Sequence, residues 1–102
     1  MHKRIECGMA GKSIRFDYLL WVKKLADRYG LSGIAFIKED GSIKVVAEGE
    51  EKPLYKFACK LNKGHLWHDI ENFYIDWSDA SGEFPDFRVV EGEEAEKFED
   101  MM

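Results

Sequence analysis

The hydrophobic periodicity of this chain switches repeatedly between two residues and 3.6, and the order of the switches narrows the folds open to it. Ile5 and Cys7 alternate with Arg4 and Glu6, which predicts a short strand ending at Gly8. Gly8-Met9-Ala10-Gly11-Lys12-Ser13 has no such alternation and reads as a loop. Tyr18, Leu19, Val22, Leu25, Ala26 and Tyr29 then recur at helical spacing, a stripe wide enough to face a core. Gly30 offers the left-handed conformation that ends a helix, and Leu31 can close the cap with an apolar contact. Gly33–Lys38 is apolar and β-prone, and Ile43, Val45 and Ala47 alternate with Lys44 and Glu48. The Asp40-Gly41 pair between these runs predicts a hairpin, because such a turn needs positive φ. Pro53 suits a first helical position; Leu54, Phe57, Ala58 and Leu61 form a second stripe, and Gly64 ends it. Gly64–Glu71 is irregular. Phe73, Ile75 and Trp77 alternate with Tyr74, Asp76 and Ser78, and Phe87–Val90 makes a short last strand after the Gly82–Pro85 break.

The order β-α-β-β-α-β plus one strand is that of an α+β, ferredoxin-like sandwich. Four antiparallel strands present one apolar face, and two amphipathic helices on that face cover it. A chain of 102 residues with 45% hydrophobic content supports one such core. Residues 1–90 form the predicted domain and 91–102 a flexible acidic tail. The fold hosts many unrelated functions, so the loops carry the functional information.

Charge is distributed unevenly. Glu91–Asp100 holds six acids and one base, whereas residues 1–90 hold 14 of each sign. A neutral body lacks the basic excess of a nucleic-acid binder, so none is expected as a partner. The tail reads as solvated; the other reading is a short amphipathic helix using Ala95, Phe98 and Met102 against a partner. No run reaches the ~18 apolar residues of a membrane span, and the amino end lacks the apolar stretch of a secretory signal. With only Cys7 and Cys59, the expectation is a cytoplasmic monomer without membrane association.

Gly8-Met9-Ala10-Gly11-Lys12-Ser13-Ile14-Arg15 is the most informative segment. Its two glycines permit sharp turns that point successive N–H groups inward, forming an anion-binding concavity. The helix that follows adds free N–H groups and its positive dipole end. Arg15 supplies a planar fork suited to two phosphate oxygens. The plain alternative is a glycine-containing turn with a surface arginine. Gly11-Lys12-Ser13 is not a nucleotide-binding P-loop, because that motif needs glycine where this chain has Glu6.

These residues resemble the acylphosphatase family. Its signature loop reads roughly Gly-x-Val-Gln-Gly-Val-x-Phe-Arg, and Gly8 through Arg15 follows the same Gly-to-Gly-to-Arg rhythm. Gly30-Leu31-Ser32-Gly33-Ile34-Ala35 is similar to the family's Gly-Leu-x-Gly-x-Val passage. Asp40-Gly41-Ser42-Ile43 with Val45, Val46, Glu48 and Gly49 resembles its hairpin. Trp77, Gly82-Glu83-Phe84 and Phe87-Arg88-Val89 are similar to its closing pattern. The likeness covers residues 3–90. It implies hydrolysis of acyl phosphates to carboxylate and phosphate, with no metal or cofactor. The substrate class implied is a small acyl phosphate, or a phosphate anion where binding alone survives. The resemblance gives Arg15 and the backbone of Ala10, Gly11, Lys12, Ser13, Ile14 and Arg15 the phosphate-binding role.

One position departs from the pattern. The family's water-orienting Asn stands three residues before the turn Asp, which here is Ile37, a side chain with no hydrogen-bonding atom. A register slip of one offers Lys38, which can bind a phosphate oxygen but cannot accept a proton from water. Weak hydrolysis is the expectation, and a non-catalytic phosphate-ligand-binding or interaction domain the alternative.

Other groups read as structural. His65 and His68 share an i, i+3 spacing, with Asp69 the nearest third ligand, and read as an exposed pair rather than a metal site. Cys7 and Cys59 read as packing residues. Trp21, Trp67 and Tyr74 could stack on bases, but the aromatic central-strand signature of RNA-recognition domains is absent.

Overall fold

A computed structural model describes residues 1–11, 16–63, 70–91, 95 and 97. The elements are β1 (His2–Ala10), α1 (Phe16–Arg28), β2 (Ser32–Ile37), β3 (Ile43–Glu50), α2 (Glu51–Lys63), β4 (Asn72–Asp79) and β5 (Phe87–Val90). The five strands form one sheet in the order β4-β1-β3-β2-β5, antiparallel except for β5, which runs parallel to β2. This is the expected ferredoxin-like arrangement with one added strand.

The odd-numbered residues of β1 and β3 face the helices. Ile5, Cys7, Met9, Ile43, Val45 and Ala47 pack with Tyr18, Leu19, Val22 and Leu25 of α1 and Leu54, Phe57 and Leu61 of α2. Both helical stripes thus bury the predicted residues. Tyr18 keeps its hydroxyl satisfied inside this core, donating toward Met9 Sδ at 3.1 Å and the Leu61 carbonyl at 3.5 Å. The α1 cap forms as expected: Gly30 has φ 68°, and the N–H groups of Gly30 and Leu31 donate to the carbonyls of Asp27 and Ala26. The hairpin closes through Gly41 at φ 87°, with the Lys38 N–H donating to the Ser42 carbonyl at 2.7 Å.

Several boundaries differ from the sequence reading. β1 continues to Ala10, so Gly8 lies inside a strand, opposite Lys44 on one side and Tyr74 on the other. A side chain at Gly8 would collide with the Tyr74 ring, which lies flat across the strand at that point. The glycine therefore serves a close approach rather than a turn. α2 starts at Glu51, directly after β3, which places Pro53 in the first turn rather than at the first position. Its missing N–H has no intrahelical partner to lose there. Lys23 of α1 reaches the Phe87 carbonyl at 3.1 Å and ties that helix to β5.

The sheet is apolar on both faces near β2. Ile34, Phe36, Val46, Val90 and Ala95 form a second buried cluster, with Phe84 packed on it, on the side away from the helices. β2 is flanked by β3 and β5 and covered on both faces, so its run Gly33–Phe36 is unbroken rather than alternating. Ala95 falls in the stretch expected to be a solvated tail, yet it is 4% exposed; at that position the chain is packed. Glu91 and Lys97 are exposed, and the rest of 92–102 lies outside the described residues.

Candidate functional site

The end of β1, the start of α1 and the end of β2 set the frame of the site. Ala10 closes β1 opposite Asn72, and its carbonyl accepts the Glu71 N–H at 2.8 Å. Gly11 follows, half-buried. Lys12, Ser13, Ile14 and Arg15 lie outside the described residues, and α1 opens at Phe16. Its first turn carries the positive end of the helix dipole. There the Asp17 carboxylate accepts the Tyr18 N–H at 3.0 Å. Of the predicted phosphate-binding residues, the structure therefore places Ala10 and Gly11. Because Gly8 belongs to the strand, the connecting loop is shorter than the sequence suggested.

Ile37 is the last residue of β2, opposite Ile43. It is half-buried and packs against the helix-side core. Lys38, the neighbouring alternative, lies instead on a concavity of about 260 Å³ with Ser42, Asn72 and Tyr74, floored by Gly8 and Ala10. Consecutive residues at the end of β2 thus have opposite surroundings, one in the core and one at this depression.

Sequence reasoning missed the polar groups around that concavity. Lys44 Nζ donates to the Tyr74 hydroxyl at 3.0 Å, lies 5.4 Å from the centre of the Tyr74 ring, and pairs with Glu6 at 3.3 Å. Burial works against the Lys44 charge, but Tyr74 and Glu6 outweigh it and hold the ammonium above its ordinary pKa. The available signal was Gly8 itself, the residue that lets Tyr74 cross β1.

A second missed cluster lies further along the same face. Glu48 is 3% exposed. It accepts hydrogen bonds from the Ser81 N–H at 3.1 Å, the Ser81 hydroxyl at 2.7 Å, the Gly82 N–H at 2.9 Å and Arg4 Nη1 at 3.0 Å. Arg4 also bonds Glu83 at 2.8 Å and lies 5.7 Å from the centre of the Phe84 ring. Desolvation would raise the Glu48 pKa, but these donors together keep it below the usual carboxylate value. The carboxylate fixes the connection from β4 to β5 against the sheet, a structural task rather than a chemical one.

Cys7 is fully buried, and burial pushes its thiol up to about 12, as befits a packing residue. Cys59 is exposed on α2, against the packing expectation. Trp21 packs on the core beside Tyr18. His65, Trp67, His68 and Asp69 lie outside the described residues.

The model of the acylphosphatase family matches residues 10–89. The chain belongs to the acylphosphatase family. It is 30% identical over 89 residues to an acylphosphatase of Caldanaerobacter subterraneus subsp. tengcongensis, covering 87% of this chain and 94% of that protein. It is 34% identical over 80 residues to one of Paenarthrobacter aurescens, covering 78% and 83%. Among solved structures, the acylphosphatase from Bacillus subtilis superposes with a TM-score of 0.79 at 20% identity, covering 86% of this chain and 98% of that one. A bacterial light-regulated adenylyl cyclase shares the fold with a TM-score of 0.72 at 14% identity over 99% of this chain and 32% of that one. The expected glycine-to-glycine-to-arginine rhythm holds from Gly11 to Arg15 but is one residue short from Gly8 to Gly11, a departure that fits a divergent family member.

Proposed function

We propose that this protein holds a phosphoryl group in the connection between β1 and α1 and hydrolyses acyl phosphates slowly. Family membership supports the substrate class, and the start of α1 after Gly11 supports an anion at that end of the molecule. Arg15 takes two phosphoryl oxygens, with the backbone of 10–15 around them. In the reaction a water oxygen attacks phosphorus, the P–O bond to the acyl group breaks, and the carboxylate leaves with the electron pair. The proton lost by water goes to solvent or to the released phosphate. Phosphoryl transfer asks for positioning and charge stabilisation, so this small set of groups is enough.

The observation that carries the slow rate is Ile37, an apolar side chain packed on the core where the family pattern has its water-orienting Asn. Benzoyl phosphate hydrolysis tests this. The wild type should turn over poorly, Ile37→Asn should raise kcat by about 10-fold or more, and Arg15→Ala should remove that gain. Robust wild-type turnover dependent on Arg15 would show that another residue holds the water. The packed state of Ile37 also favours a second reading, a phosphate-ligand-binding domain without turnover. Phosphate binding to the loop, followed by NMR, with no gain in Ile37→Asn would select that reading.

A further inference from the structure

Holding a phosphoryl group between β1 and α1 leaves the concavity floored by Gly8 and Ala10 without a task. Its lining is chemically one-sided: Lys38, Asn72 and Tyr74 bring donors, and among the described residues no carboxylate lines it. Lys38 stands two residues beyond Phe36 and so keeps the face away from the helices. Lys44, the neighbouring ammonium on β3, is already committed to Glu6 and Tyr74. Asp40, the carboxylate of the adjoining turn, is taken by the Ser42 N–H at 2.9 Å and the Ser42 hydroxyl at 2.6 Å. Lys38 acts on Asp40 only at longer range, and among the described residues no hydrogen bond or ion pair engages its ammonium. The Tyr74 hydroxyl accepts from Lys44, which leaves its own hydrogen to give. The Tyr74 ring, laid over Gly8, supplies an apolar wall beside these donors.

We propose that this concavity takes the acyl end of the substrate, and that Lys38, with Asn72 and Tyr74, reads a second carboxylate there. The preferred substrate is then the monoacyl phosphate of a small dicarboxylic acid. This rests on the phosphoryl group being held between β1 and α1. Ala10 joins the two places, because it stands in the proposed phosphate-binding set and also floors the concavity. A volume of about 260 Å³ lies below that of pockets for drug-sized ligands, so a chain of a few carbons fills it. At the far end of such a chain a carboxylate meets an ammonium and two neutral donors. An uncharged end gives Lys38 nothing to pair with, so the site discriminates by charge as well as by size.

Two phosphonates, which resist hydrolysis, test this however slow turnover is: γ-phosphonobutyrate ends in a carboxylate and butylphosphonate in a methyl group. In titrations followed by NMR, the wild type should bind γ-phosphonobutyrate about 5-fold or more tighter, and Lys38→Met should bring the two probes within about 2-fold. Arg15→Ala should weaken both alike. Equal binding of the two probes by the wild type, with Arg15 still required, overturns the carboxylate subsite and leaves the phosphoryl reading standing. A preference that survives Lys38→Met overturns the subsite as well. So does a loss in Lys38→Met that is equal for both probes, which would put the phosphoryl group itself in the concavity. Binding of neither probe, or binding indifferent to Arg15, removes the phosphoryl reading and the subsite that rests on it together.

Discussion

Glu48 carries a charge almost closed off from water, held by four groups from Arg4, Ser81 and Gly82. Because its pKa is lowered in the folded state, the stability it contributes is present above the ordinary carboxylate pKa and is lost as pH falls through the lowered value. Urea unfolding between about pH 7 and pH 3 should show this fall, and Glu48→Gln should flatten it while costing about 1–3 kcal/mol at neutral pH. Asp40 and Glu50, also lowered, leave a residual slope in the variant. An undiminished pH dependence in Glu48→Gln would remove this residue from the account. Nothing near Glu48 in the sequence announces its role. It follows Val45-Val46-Ala47 like any polar residue on an alternating strand, and its partners Ser81 and Gly82 stand 33 and 34 positions away. The place of Ile37 at the end of a strand was legible, because the apolar run before Asp40-Gly41 marks it. Lys44 and Tyr74 were not, since their meeting depends on strand register across Gly8.

The elements that read most clearly are the two helices, whose stripes name their buried residues directly. Leu25 shares the helix-side core with Val45 and with Ile75, which lies half-buried on β4. Leu25→Ala should cost about 2–5 kcal/mol by urea unfolding, the range for removing a large aliphatic group from a core that relaxes incompletely. A change below about 1 kcal/mol would mean that the site collapses around the gap. Strands were harder to read at their ends. Gly8 looked like punctuation because glycine commonly is, whereas here it admits a ring. Pro53 looked like a helix start, yet the helix begins two residues earlier, where proline is equally tolerated.

For the molecule as a whole, the two-helix, one-sheet plan was legible, while the apolar patch on the opposite face was not. The run Gly33–Phe36 signals a strand covered on both faces, but it does not say by what. Ala95 supplies part of that cover from a stretch whose composition is strongly acidic. Ala95→Asp should lower stability by about 1–3 kcal/mol, because it buries an unpaired charge against Phe36 and Val46. Lys97→Asp, at an exposed position, should stay within about 0.5 kcal/mol. Equal effects in urea unfolding would show that composition alone, not contact, governs the segment.

The placement of β5 has a consequence for how the protein is made. Only β2 and β3 are neighbours both along the chain and in the sheet; β1 must wait for β3 and β4, and β2 waits for β5. A ribosome has to release almost the whole domain before the second side of β2 can be paired. Until then the side of β2 that β5 will take, along Ile34 and Phe36, stays unpaired. Closing such long loops before any contact repays them makes folding slow relative to a helical bundle of equal length. The strand order therefore sets the interval during which chaperones have most to do.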